Sequence, residues 1–324
     1  MNKQRFIFLA AGIFVSFLYY GVLQETVTRG KYSYETKKND GSSHIVHEKF
    51  TFAITLVCIQ CIINYVVACI AGLIWTQAED KTAKLYYASV SVTYLLAMVA
   101  SNMALQWVPY PTQAVGKSAK PIPVMILGVL LGKKSYPFKK YLFVFLIVTG
   151  IVIFMLKEGT EQISPDFEVG MGEVLLFLSL VLDGLTGAIQ ERIRADAKPS
   201  GIQMMRASNG WSSIYMIAVA LLTNEVVIFL KFASRYPFVY YNLLAIGITS
   251  GIGQLFLYSM VSDFGPLSVS IVTTTRKFFT VLGSVLLFGN SLSSQQWMGA
   301  VLVFGGLFLD AIFSKGPSKK QDKK

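Results

Sequence analysis

Histidine, cysteine and acidic residues are the scarce chemistry of this sequence: its 324 residues include two His, three Cys and eighteen Asp or Glu. His44 and His47 stand as HIVH in a Gly-, Ser- and Asn-rich loop, where they read as solvated side chains and not as metal ligands. Cys58, Cys61 and Cys69 all fall in one apolar run, which makes them inert thiols buried in a helix; the CIQC pair lacks the βαβ context of a redox motif. No metal or cofactor is expected. The carboxylate pair or D-x-D that a membrane glycosyltransferase needs near a membrane surface is missing, so an enzyme is not expected. A cationic-drug exporter needs acids at its centre, and here the excess is basic. No polar segment interleaves basic residues with aromatics, which argues against nucleic acid as a partner. The first apolar run ends in LQETVTRG without an A-x-A cleavage pattern, so it reads as a retained transmembrane helix.

What is abundant is hydrocarbon. With 53% hydrophobic and 15% charged residues, the chain is too apolar for a soluble domain of this length and is expected to be an all-α polytopic membrane protein. At roughly 20 apolar residues per crossing, the expected spans lie at 6–27, 50–76, 84–107, 111–132, 138–157, 170–190, 203–224, 236–260, 266–289 and 294–314. The two sets of five resemble each other. Pro111, Leu127, Gly128 and Gly150 recur 155 positions later as Pro266, Leu282, Gly283 and Gly305, while Gly21, Gln24 and Glu25 recur 166 positions later as Gly187, Gln190 and Glu191. Two fused repeats of five helices must cross the membrane in opposite directions. The expected organisation is therefore one five-helix repeat in 1–160, an inverted second in 161–315, and a basic tail in 316–324.

The formal net charge is +11, and where the cations stand decides what they mean. In alternate polar segments, seventeen Lys and Arg fall on the side that carries both termini and eight on the other, so both termini are expected in the cytosol. The remaining four, Lys117, Lys120, Arg276 and Lys277, lie inside the spans. At ~3 kcal/mol each they cost on the order of 10 kcal/mol unless water, counter-ions or ligand anions solvate them. One account pairs them with the few acids at similar depth: Asp183, Asp310, Glu25 and Glu191. The account we favour makes them a substrate site, since Lys120 and Arg276 occupy corresponding helices of the two repeats, near the midplane where transporters bind.

Gln113, Lys117 and Lys120 share one helical face. Pro121 follows and should leave the Lys117 carbonyl without its helical donor, kinking the helix beside a polar cavity. In TTTRKFF, Thr273, Thr274 and Thr275 offer hydroxyls for phosphate or ribose, and Phe278 and Phe279 offer faces for a base; the alternative is that the threonines bond their own helix and the rings face lipid. Glu25 either holds a cation in the unloaded state or meets substrate. The GKS at 116–118 is not a nucleotide-hydrolysing loop, because the position of its first glycine is Pro111 and no strand precedes it. The lysines can nonetheless act as point charges on phosphate.

At PTQAVGKSAKPIPVM and SIVTTTRKFFTVLGSVLLF, supported by FLYYGVLQETVTRGKY and LSLVLDGLTGAIQ, the chain resembles the nucleotide-sugar transporters, solute carrier family 35, in their B subfamily. The resemblance covers nearly the whole chain and implies the ten-helix drug/metabolite transporter fold in the endoplasmic-reticulum membrane. It also implies antiport that brings cytosolic ATP into the lumen against ADP. The alternative is exchange of a nucleotide sugar, UDP-galactose or UDP-glucose, for a nucleotide monophosphate. Members often end in a dilysine retrieval signal; here the corresponding positions hold Asp322, Gln321 and Lys320, so KKQDKK departs from it.

Overall fold

A computed structural model describes residues 3–28, 30, 32–37, 43–104, 107–108, 113, 116–155, 170–287 and 293–313. Its elements, in chain order, are α1 (Lys3–Thr28), β1 (Tyr32–Lys37), β2 (Ser43–Glu48), α2 (Ala53–Ile74), α3 (Lys84–Ala104), α4 (Pro121–Leu130), α5 (Phe138–Met155), α6 (Met171–Asp196), α7 (Gly201–Leu222), α8 (Glu225–Arg235), α9 (Phe238–Phe264), α10 (Pro266–Leu287) and α11 (Ser294–Phe313). Among the described residues five helices, α1, α2, α3, α6 and α9, are long and apolar enough to cross a membrane, and a sixth span results if α7 and α8, bent by 85°, are taken together. The chain forms two compact units, each drawing on both halves of the sequence.

One unit comprises residues 8–80 and 200–259. Here α2 packs along α7, which starts in a reciprocal cap: the Gln203 N–H donates to Ser200 Oγ at 3.2 Å and the Ser200 N–H to Gln203 Oε1 at 2.8 Å. Two features were not expected. Among the described residues, the polar loop after α1 holds two antiparallel strands that pair Tyr32 with Glu48 and Thr36 with His44. Its anchor is Tyr32, buried among Phe232, Tyr236 and Phe238, with its hydroxyl donating to the Val27 carbonyl at 2.8 Å. The stretch 225–235 is a helix, because Phe229, Phe232 and Ala233 recur at helical spacing and bury against the same aromatic cluster. Its Glu225 carboxylate accepts the Thr55 N–H at 2.8 Å, satisfying a free donor at the start of α2.

The other unit comprises residues 1–7, 81–199 and 260–324. Within it α3 and α4 pack on α6, α5 packs on α11, and α10 packs on α4, α5 and α6. Small residues set these contacts. A Cβ built on Gly150 of α5 would stand 2.8 Å from the Gly299 carbonyl oxygen of α11, so the two backbones touch where both side chains are hydrogen. On α6, a Cβ at Gly184 would stand 2.8 Å from the Pro123 carbonyl oxygen and one at Gly187 2.9 Å from Val124. Glycine at these two positions lets α4 lie directly on α6.

Candidate substrate site

The close approach of α4 decides where its leading lysines fall. Residues 116–118 are helical, 119–120 form a turn, and α4 restarts with Pro121 at its first position, where the missing N–H costs nothing. The Lys117 carbonyl, expected to lack a donor, accepts the Lys120 N–H at 3.3 Å in a tighter turn. The break thus repairs most of what proline takes away, and it carries Lys117 and Lys120 to the same carboxylate on α6. Lys117 Nζ donates to Asp183 Oδ2 at 2.6 Å and to Ser179 Oγ at 2.5 Å, while Lys120 Nζ stands 2.9 Å from Asp183 Oδ1. Ser179 and Asp183 are one turn apart on α6, and Ser179 Oγ in turn donates to the Ala97 carbonyl of α3 at 2.8 Å. Gln113 turns to the same helix, its amide donating to the Ser101 carbonyl at 2.5 Å and to Ser101 Oγ at 3.1 Å.

Two ammonium groups therefore share one carboxylate, which leaves this cluster with one uncompensated positive charge. The Asp183 side chain is 7% exposed and Lys117 17%, whereas Lys120 is 33% exposed. Lys120 is thus the more open of the two cations. For these two lysines the pairing alternative therefore holds in part, with one acid, Asp183, serving both.

Two of the other candidate carboxylates, Asp310 and Glu191, are committed elsewhere. Asp310 accepts from Lys140 at 2.6 and 2.8 Å, tying α11 to α5. Glu191, 4% exposed, accepts from Arg194 at 2.7 Å and lies 4.0 Å from Lys134. Arg194 also donates to the Ser262 carbonyl at 2.9 Å. Gly265, with φ of +91°, sits against this pair: a Cβ there would be 2.5 Å from Glu191 Oε1. The side chain of Glu25 lies outside the described residues, as does that of Lys277.

On α10 the hydroxyls of Thr273 and Thr275 donate to their own helix, to the Val269 carbonyl at 2.8 Å and the Ile271 carbonyl at 2.8 Å, so they follow the local-bonding alternative. Thr274 is buried. Arg276 is half-buried on this helix, which packs on both α4 and α6. Phe278 is not a face for a base. It is fully buried, edge-on to Phe154 at 4.7 Å and to Phe304 at 5.9 Å, and belongs to the core between α5, α10 and α11. What sequence reasoning missed is Ser179 and Ser101, the hydroxyls that hold Lys117 and Gln113. The signal was the four-residue spacing of Ser179 and Asp183 in LSLVLDGL, which puts both on one face of α6.

The sequence matches the UAA transporter family over residues 5–314. It is 53% identical over 314 residues to the Solute carrier family 35 member B1 homolog of Drosophila melanogaster, covering 97% of this chain and 92% of that protein. It is 52% identical over 309 residues to Solute carrier family 35 member B1 of Rattus norvegicus, covering 95% and 93%. To the protein of that name from Danio rerio it is 50% identical over 320 residues, covering 98% and 94%. A solved crystal structure, of a protein described only as such, superposes with a TM-score of 0.62 at 12% identity over 94% of this chain and 98% of the other; this likeness is one of fold.

Proposed function

Because the chain belongs to the UAA transporter family, and so is a multi-pass membrane transporter and not an enzyme, we propose that it exchanges cytosolic ATP for lumenal ADP across the endoplasmic-reticulum membrane. In this reading two inverted five-helix repeats, with both termini cytosolic, open a central site to either side in turn. The observation that carries the proposal is the pair of lysines on Asp183. A partly buried cluster with more ammonium groups than carboxylates is completed by a ligand that brings several negative oxygens of its own. Lys117 and Lys120 take part of the phosphate chain, and Arg276 and Lys277 supply further charge from α10. Thr273, Thr274, Gln113 and Glu25 complete the substrate-binding set of this reading. In the unloaded carrier Asp183 holds the two lysines; in the loaded one phosphate oxygens take its place. The uncompensated charge disfavours occlusion of the empty site, which couples passage to a bound anion and makes exchange the normal mode.

Ligand-dependent thermal stability of the purified protein tests the substrate class. With one site, stabilisation follows the ratio of free ligand to Kd. At equal concentration ATP and ADP should raise Tm well above AMP, UDP-galactose and UMP. Greater protection by the uridine compounds would replace this reading with nucleotide-sugar/nucleotide-monophosphate exchange.

A further inference from the structure

The unit built from residues 8–80 and 200–259 carries a surface groove of about 290 Å³, lined by Tyr65 of α2 and by Arg206, Ala207, Gly210, Trp211 and Ile214 of α7. The polar side chains of these two helices lie elsewhere: Asn64, Ser208, Asn209, Ser212 and Ser213 are all buried. The outward stripe of α7 continues with exposed Ile214, Ile217 and Leu221, and that of α2 presents Ile62, Val66, Ile70 and Leu73. Such a face suits hydrocarbon, which makes Arg206, exposed on it, chemically out of place. None of the ion pairs among the described residues includes Arg206.

Arg206 stands six residues after the Ser200 cap, or about 9 Å along the helix at 1.5 Å per residue. Helical side chains lean toward the N-terminus, so its guanidinium reaches back toward the membrane surface at that end of α7. Beside it Trp211, stacked on Tyr215 at 5.9 Å, and Tyr65 supply the amphipathic rings that favour the headgroup level. The floor is open because position 210 is glycine, where a Cβ would already stand 3.3 Å from the Tyr65 ring.

From this arrangement we propose that the groove is a binding site for one anionic phospholipid. Its phosphodiester is held by the Arg206 fork, its glycerol lies over Ala207 and Gly210, and an acyl chain follows Ile214, Ile217 and Leu221. A guanidinium presents parallel N–H donors matched to two phosphate oxygens, and the volume equals roughly ten waters at ~30 Å³ each, enough for the phosphate and glycerol. The lipid acts as a structural ligand and does not travel.

Native mass spectrometry of the delipidated full-length protein, titrated with phosphatidylinositol or phosphatidylcholine, tests this. The wild type should retain one phosphatidylinositol in preference to phosphatidylcholine. Arg206→Gln should weaken that adduct about fivefold or more, Arg206→Lys should keep part of it, and Gly210→Leu should displace it with the cation still present. Stabilisation by ATP, which the proposed function assigns chiefly to Lys117 and Lys120 of the other unit, should survive in Arg206→Lys and Gly210→Leu. Equal retention of phosphatidylinositol by the wild type, Arg206→Gln and Gly210→Leu, or no preference for it over phosphatidylcholine, overturns the proposal. If Arg206→Gln does not fold, the comparison of Gly210→Leu with wild type decides alone.

Discussion

Asp183 is the residue on which the charge balance turns, because its two oxygens serve Lys117 and Lys120 at 2.6 and 2.9 Å. The lysines were visible in the sequence, since a cation in an apolar span is costly wherever the helix sits. Their partner was visible only as one of four scattered acids, because pairing depends on how α4 crosses α6, which no local pattern records. The same limit explains Phe278: in TTTRKFF an aromatic beside a cation looks available to a base, and only packing against Phe154 and Phe304 reveals it as core. If Asp183 competes with phosphate for the same ammonium groups, Asp183→Asn has two opposed effects. Without ligand it leaves two partly buried cations unpaired, and stability should fall by about 3 kcal/mol. With ATP the cluster attracts more strongly, so the nucleotide-induced rise in Tm should exceed that of wild type. A smaller rise would mean that Asp183 helps bind substrate and does not compete with it.

Helix placement depends on small residues as much as on hydrophobicity. Gly21 and Gly187 correspond in the expected duplication, yet the two sites differ in packing: among the described residues nothing lies within 4 Å of a Cβ at Gly21, while one at Gly187 meets Val124 at 2.9 Å. Gly187→Leu should therefore force α4 away from α6, at a cost of about 1–3 kcal/mol for overpacking, and carry Lys117 and Lys120 off Asp183. Its expected signature is a lowered Tm together with reduced stabilisation by ATP, whereas Gly21→Leu should leave both close to wild type. Equal behaviour of the two variants would show that the α4–α6 contact does not position the lysines. Most helices lie where their apolar runs placed them. The strand pair within 32–48 and α8 were missed because both are short, polar on one side, and stabilised by one distant aromatic cluster around Tyr32 and Phe232.

At the scale of the whole molecule, the expected sequence duplication and the compact units divide the chain differently. The repeats expected from the sequence run consecutively, in 1–160 and 161–315, whereas each unit combines segments from both halves of the chain. The proposed exchange requires that the excess positive charge around Asp183 be matched by the phosphates of a travelling nucleotide. Uptake of radiolabelled ATP into liposomes bearing the purified protein tests it most directly. Uptake should be rapid in vesicles loaded with ADP, small in empty ones, and abolished in ADP-loaded vesicles by Lys120→Ala in a variant that remains folded. Uptake by folded Lys120→Ala at the wild-type rate would contradict this requirement.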